Sequence, residues 1–469
     1  MNQPVVAVLA VVCLLAGCAA PQSPAAPAPQ PPPQWHAPLP HDGTVAGLAA
    51  WWQQLGDPLL ADLVAATQVA SPSVSAAAAR IEQARAERVA ARAALLPTLD
   101  ANAAAARGNS QPPAPLATIV QTGTQAAWEI DLFGANRDAA RGAQARVEGA
   151  EAGWHEARVA VAAETANNYL GLRGCERLLL VTQRDAQSRR ETARLAGLSA
   201  DAGFTAPADA ALARASAADA ARRATQQRAQ CEVEIKVLVA LSGMAEPPLR
   251  ERLATPWQEP ASAIPPVPAV PAALLAQRPD VHRAERELAA ASADVGHAQA
   301  QRLPRLTLAG SIAVGSARVG GVTTDLQTWS IGPLALTVPL FDGGRRTAEV
   351  DAAQARHADA AAQYAARVRQ AVREVEQALV QLESARARQQ DARTAYEGYA
   401  ASLAATQARY DSGLASLPEL EESRRVALAA ETALVALQQE RLAAWVALYR
   451  AVGGGWSAPA TALSMAAGS

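Results

Sequence analysis

Apolar and polar residues alternate with a period of two in the extended stretches of this 469-residue chain. From Val120 to Leu132 the even positions are Val120, Thr122, Thr124, Ala126, Trp128, Ile130 and Leu132, and the odd positions include Gln121, Gly123, Gln125, Glu129 and Asp131. In the second half Leu306, Leu308, Ile312 and Val314 hold the even positions of one stretch, and Leu334, Leu336, Val338 and Leu340 those of the next. A period of two predicts strands with one apolar and one polar face. A half-wetted sheet has this pattern, and so does a membrane barrel with lipid outside and water inside.

The pattern changes abruptly at Leu336–Arg346, LTVPLFDGGRR. Beyond it roughly 65 residues pass without proline and with one glycine, Gly398, which predicts a helical rod of ~100 Å. A second such run, Arg137 to about Ala200, follows WEIDLFGANR. Rods of that length must lie along another helix, and alanine lets the axes approach closely. Asp201-Ala202-Gly203 and Asp411-Ser412-Gly413 mark the reversals, with Gly203 and Gly413 suited to the left-handed residue that ends a helix. The chain therefore predicts two antiparallel helical hairpins, each preceded by a shorter helix (Ser73–Leu96; Asp280–Leu303) and two strands.

These features occur twice. LLPTLDANA is echoed by RLPRLTLAG with its proline 304 − 97 = 207 residues later, Phe133 by Phe341 at 341 − 133 = 208, and Gly203 by Gly413 at 413 − 203 = 210. Such landmarks in one order identify a tandem duplication. The expected segments are a signal peptide (1–17), a Pro-rich tether (18–44), a first repeat (45–245), a Pro-rich linker (246–270), a second repeat (271–452) and a flexible tail (453–469). Two strands per repeat give four per chain, too few to close a conducting barrel, so closure needs several chains.

Composition supports thin helical packing: 50% of residues are apolar, largely alanine, and only 4% aromatic. A net charge of −2 and the lack of a basic tract argue against nucleic acid. Val5–Leu15 is apolar but too short to span a bilayer, and it leads to Leu15-Ala16-Gly17-Cys18, which resembles a lipobox with Cys18 as the lipidated residue. The alternative is an ordinary secretory signal cut nearby. No other run reaches transmembrane-helix length, so a membrane-spanning form must be a closed barrel. Cys175 and Cys231 lie equally far from Gly203 (203 − 175 = 28; 231 − 203 = 28), on opposite arms of the first hairpin. An oxidising compartment would pair them; otherwise they are two unrelated small core residues.

Enzyme chemistry finds no foothold. None of the six histidines forms a metal-spaced pair, and His282-x-x-Glu285 occurs once and in the reverse order to a di-iron motif. No Gly-x-Ser-x-Gly and no phosphate-cradling glycine loop is present, so no catalytic residue, metal or cofactor is expected.

The specific stretches AALLPTLD, AWEIDLFGANR, ETANNYLGLR, LLAQRPDVHRAERELAAASADVGHAQAQRLPRLTL and PLFDGGRR resemble outer-membrane efflux proteins of the TolC/OprM type, in the lipoprotein subgroup that includes NodT-type outer-membrane factors. The resemblance runs from Trp51 to about Tyr449. It implies an α+β membrane fold in which three chains build a twelve-stranded barrel continuous with a periplasmic helical tube. It also implies a bacterial outer-membrane location, a periplasmic adaptor, and an inner-membrane transporter of the proton-driven RND class. The duct would conduct passively, with drugs, proteins or metal ions as possible cargo; a non-conducting coiled-coil scaffold is the other reading. Gly203, Phe204, Thr205, Gly413, Leu414 and Ser416 match adaptor-contact turns, and Glu422, with Glu419 beside it, matches an acidic position near the aperture. Glu419, Glu421 and Glu422 also fit a solvated first turn stabilised by the helix dipole. Phe133, Gly134, Phe341, Asp342, Gly343 and Gly344 mark the barrel-to-helix joints.

Overall fold

The computed structural model describes Trp52 and residues 57–109, 115–255 and 278–456. The signal segment, Cys18, the tether, residues 256–270 of the expected linker and the tail beyond Trp456 lie outside the described residues. The first half runs α1 (Pro58–Ala70), α2 (Pro72–Ala93), β1 (Thr98–Gly108), β2 (Ala117–Ile130), α3 (Ala135–Asp201), α4 (Pro207–Ser242) and α5 (Glu246–Leu253). The second half runs α6 (Pro279–Ala300), β3 (Arg305–Val319), β4 (Val322–Thr337), α7 (Arg345–Asp411) and α8 (Leu417–Ala451). α3 and α7 are both 67 residues long. Their starts and their ends are offset alike, 345 − 135 = 210 and 411 − 201 = 210.

Two compact units are formed, one from described residues of Ala78–Ala152 and Arg283–Arg367, the other from those of Gln30–Ala77, Gly153–His282 and Val368–Ser469. The first unit contains the sheet, an antiparallel meander in the order β1-β2-β3-β4. Gly320-Gly321, with φ of 58° and 89°, supplies the two left-handed residues of the β3–β4 hairpin. Register puts Leu99 opposite Ala126, Trp128 opposite Leu308, Ile130 opposite Leu306, and Leu306 opposite Leu336. Directly opposed residues share a face. One face thus carries Leu99, Val120, Trp128, Ile130, Leu306, Leu308, Ile312, Val314, Leu334 and Leu336; the other carries Asp100, Asn102, Gln121, Gln125, Glu129 and Ser311.

Two glycines on the polar face let neighbouring strands approach closely. A Cβ on Gly123 would stand 2.4 Å from the Ile312 carbonyl oxygen and 2.8 Å from the Ala313 Cα and Cβ, and one on Gly315 would stand 2.2 Å from the Val120 carbonyl oxygen. At both positions the nearest atoms are backbone of the next strand, and only glycine leaves room for them.

The structure corrects the even-position rule on the last strand. β4 ends at Thr337, so Val338 and Leu340 are not strand residues. Between Leu308 and Gly310 the register slips, because their partners are Leu334 and Ile331. The extra β4 residue lies at Gly332-Pro333, where proline has no N–H to give the ladder. Beyond the bulge parity inverts, and the odd residues Trp329 and Ile331 continue the apolar face.

Two further expectations are corrected in the second unit. The linker does not begin at Glu246: Glu246–Leu253 is helix α5, with Leu249 and Leu253 buried. Pro247 and Pro248 sit in its first turn, where helices tolerate proline, so a proline-rich stretch opens a helix here. The tail does not fray at Gly453. Gly453 is buried, Gly454 accepts from the Tyr449 hydroxyl at 3.3 Å, and the Trp456 ring lies between those of His155 and His282, at centroid distances of 5.9 and 5.4 Å.

The core of this unit joins Leu60 and Leu63 of α1, Tyr169 and Leu172 of α3, Leu238 of α4, Leu249 of α5, Leu379 of α7 and Val446 and Leu448 of α8. Polar anchors run through it. Tyr169, fully buried, donates to Asp57, and Arg173 donates to the Tyr169 hydroxyl at 2.9 Å and the Leu253 carbonyl at 2.9 Å. Burial first, then the bond to Asp57, pushes the Tyr169 hydroxyl well above the ordinary tyrosine value. Among the described residues, no helix is long and apolar enough to cross a membrane.

Candidate functional site: joints and hairpin tips

Each strand-to-helix joint is a carboxylate holding the first turn of a 67-residue helix. At the second joint Asp342 accepts from Gly344 N at 3.1 Å, Arg346 N at 3.2 Å and Arg346 Nη1 at 2.8 Å. At the first joint Asp131 accepts from Asn136 N at 3.3 Å, Arg137 N at 2.9 Å and Arg137 Nε at 3.2 Å. Gly134 (φ 83°), Gly343 (65°) and Gly344 (89°) take the left-handed conformations of the corner. The joints leave the sheet level with each other, since Ile130 and Leu336 both oppose Leu306. Leu340 and Phe341 stand exposed beside the second, and the Trp128 indole donates to the Leu95 carbonyl at 3.0 Å beside the first.

Asp131-Leu132-Phe133-Gly134 is the sequence echo of Phe341-Asp342-Gly343-Gly344. The carboxylate precedes Leu-Phe in one repeat and follows it in the other, yet caps the same helix start. Although partial desolvation opposes it, the Arg346 guanidinium and the amides of Arg346 and Gly344 hold Asp342 below its ordinary 3.8. A depressed carboxylate contributes stability above its unfolded pKa and loses it as pH falls through the folded one. Amide protection of Gly344 and Arg346, corrected for intrinsic exchange, is therefore expected to hold down to about pH 4 and to fall only below it. Loss by pH 6 would contradict this.

Both hairpin tips end in the same motif. Phe204 N donates to Ser199 O at 2.8 Å and Gly203 N to Ala200 O at 3.0 Å; Leu414 N donates to Arg409 O at 2.7 Å and Gly413 N to Tyr410 O at 3.0 Å. These are Schellman bonds around left-handed Gly203 (φ 80°) and Gly413 (74°). The residue after each glycine is large, apolar and exposed, Phe204 at 86% and Leu414 at 72%. Thr205 Oγ1 lies 2.5 Å from Ser199 Oγ, and Ser416 opens α8.

The three glutamates beyond the second tip have three different environments. Glu419 completes a capping box with Ser416. Glu422 is exposed and pairs with Arg425 at 2.5 Å, which holds its carboxyl below the ordinary value. Glu421 is turned inward, where Arg189 and Arg424 meet it. Arg189 donates to Asp185 at 2.8 Å, to Ser216 at 2.7 Å and to Glu421; Arg424 donates to Glu421 at 3.1 Å, Thr192 at 2.8 Å and Gln407 at 2.7 Å. This network ties α3, α4, α7 and α8 together. Sequence reasoning missed it, although the Glu421–Arg424 spacing of three was its visible signal.

Cys175 and Cys231 sit on α3 and α4 with Cα atoms 5.6 Å apart and their sulfurs at bonding distance. Peptide mapping without reductant is expected to recover them as one linked pair; two free thiols in protein made in an oxidising compartment would contradict the pairing.

Residues 63–243 and 270–454 each match the family model described as outer membrane efflux protein. The chain belongs to the outer membrane efflux protein family. It is 30% identical over 388 residues to the outer membrane protein OprJ of Pseudomonas aeruginosa, covering 80% of each chain. It is 27% identical over 463 residues to the pyoverdine export outer membrane protein OpmQ of the same organism, covering 95% of each. Among solved structures, the outer-membrane channel OprN superposes with a TM-score of 0.79 at 28% identity, over 92% of this chain and 99% of that one. The family consists of channel-forming outer-membrane efflux proteins, not enzymes.

Proposed function

We propose that three copies of this chain close their sheets into one twelve-stranded barrel, the outer-membrane exit of a tripartite efflux system. An inner-membrane pump, of the RND class, supplies the energy, and the duct conducts small molecules passively. The observation that carries this reading is the sheet: one apolar face, one polar face, and β1 and β4 as its two edges. Open edges cannot stand in lipid, and four strands enclose no lumen. Pairing β1 of one copy with β4 of the next meets both demands. An oligomer of this mass that resists SDS until heated supports the reading; a chain that remains monomeric in mild detergent overturns it.

The relative named for pyoverdine export favours a small-molecule cargo over a protein or metal-ion duct. Cys18 would carry the lipid anchor. Gly203, Phe204, Thr205, Gly413, Leu414 and Ser416 would receive the adaptor, a role supported by the bare apolar side chains on fixed Schellman turns. Glu419 and Glu422 are the gate candidates: Glu419 is engaged in its cap and Glu422 in a pair with Arg425, and Glu422 is preferred for its spacing from Gly413. Threefold repetition would make Glu422 a ring of carboxylates that favours cations. Glu422→Ala is expected to reduce cation preference in single-channel recordings at least twofold; unchanged conductance and selectivity would remove Glu422 from the aperture. A non-conducting scaffold would give no single-channel steps at all.

A further inference from the structure

The lipid-facing side of the sheet ends in a row that is not apolar. Arg107 of β1 is opposite Thr118 of β2, Thr118 opposite Arg318 of β3, and Arg318 opposite Thr323 of β4. These residues share the face of Leu99, Val120, Ile312 and Val314, because Arg107 is eight positions from Leu99, Arg318 four from Val314, and both counts are even (107 − 99 = 8; 318 − 314 = 4). Both arginines are exposed, and neither has a hydrogen-bond or ion-pair partner among the described residues. The nearest acid on this face is Asp325, opposite Ser316 in the next row.

The height of the row identifies what meets it. From Ile130, at the joints, to Thr118 is 130 − 118 = 12 residues along β2. At ~3.4 Å per residue this is ~40 Å of strand, or ~30 Å along the membrane normal at a tilt of ~40°. The apolar band of an outer-membrane barrel is ~25 Å tall. The arginine row therefore clears the hydrocarbon at the end opposite the helices and stands among headgroups. Two strands apart, the arginine backbones are ~10 Å from each other. Their side chains are long enough to converge on one anion over the Thr118 hydroxyl. Guanidinium forks match phosphate oxygens in pairs.

We propose that Arg107 and Arg318, with Thr118 between them, bind the phosphate-bearing headgroup of an outer-leaflet glycolipid. This rests on the barrel reading above. In the trimer the site would occur three times, fixing the barrel's depth from the far side while the joints fix it from the near side.

The test uses the full-length protein in nanodiscs containing diphosphorylated lipid A, with bound lipid counted by native mass spectrometry and conductance recorded in parallel. Arg107→Gln/Arg318→Gln is expected to retain about tenfold less lipid A at unchanged conductance, and Asp325→Asn to retain as much as the parent or more. With dephosphorylated lipid A the parent and the double variant are expected to bind alike. Equal retention of the diphosphorylated form by both overturns the site. Displacement of the lipid by millimolar inorganic phosphate would make it a free-anion site and overturn the lipid as its occupant. A parent protein that does not conduct at all would instead overturn the barrel reading.

Discussion

Arg278→Ala is expected to leave little folded protein. The guanidinium is 5% exposed and satisfied on every side: Nε donates to Asp280 at 3.0 Å, Nη2 to Asp280 at 2.8 Å and Glu374 at 2.7 Å, and Nη1 to the Ala451 carbonyl at 2.7 Å. It joins the start of α6 to the middle of α7 and the end of α8. Burial works against its charge, but Asp280 and Glu374 outweigh that and raise its pKa above the ordinary arginine value. Truncation takes two charge-assisted bonds from the buried Asp280 carboxylate and leaves the Ala451 carbonyl without its donor, a loss of about 3–5 kcal/mol. Arg278→Lys keeps the charge but not the fork, and is expected to recover only part of this. Glu374→Gln, whose site is more open, is expected to cost much less. Yield of folded protein and its thermal unfolding measure the series. An Arg278→Ala chain that accumulates and melts like the parent would show that the anchor is dispensable.

Gly123→Val is expected to abolish the assembled barrel while leaving the helical hairpins intact. The new Cβ would meet backbone, the Ile312 carbonyl at 2.4 Å, which cannot rotate away as a side chain can. The strands would have to separate locally, breaking the β2–β3 ladder at the Gly123–Ala313 pair. Gly108→Val is the matched control, since nothing lies within 4 Å of its Cβ position. Circular dichroism is expected to keep its helical signal in both variants. Only Gly123→Val should lose the SDS-resistant oligomer. Survival of that oligomer in Gly123→Val would mean that the β2–β3 ladder tolerates a side chain at position 123.

The long helices and the sheet's two faces were legible because each follows from a local period. Proline-free runs of alanine, arginine and glutamate leave few alternatives to a helix, and Gly203 and Gly413 mark its ends. What escaped was set by neighbours. The inversion of parity on β4 depends on a bulge at Gly332-Pro333, which exists only once β3 is alongside. Glu421 and Glu422 are adjacent and chemically identical, yet one is held by Arg189 from another helix and the other faces solvent. The echo of the two joints was visible, but the bonds of Asp131 to the first turn of α3 were not, because the duplication kept the job and moved the position. The prolines of α5 misled because composition reports where proline is common, not whether it falls in a helix's first turn.

Closure of the four-stranded sheets of three chains into one duct is most directly tested by single-channel recording on size-fractionated protein. The fraction with the mass of three chains is expected to give one conductance step per particle, and the monomer fraction none. A conducting monomer, or a three-chain particle that does not conduct, would contradict it.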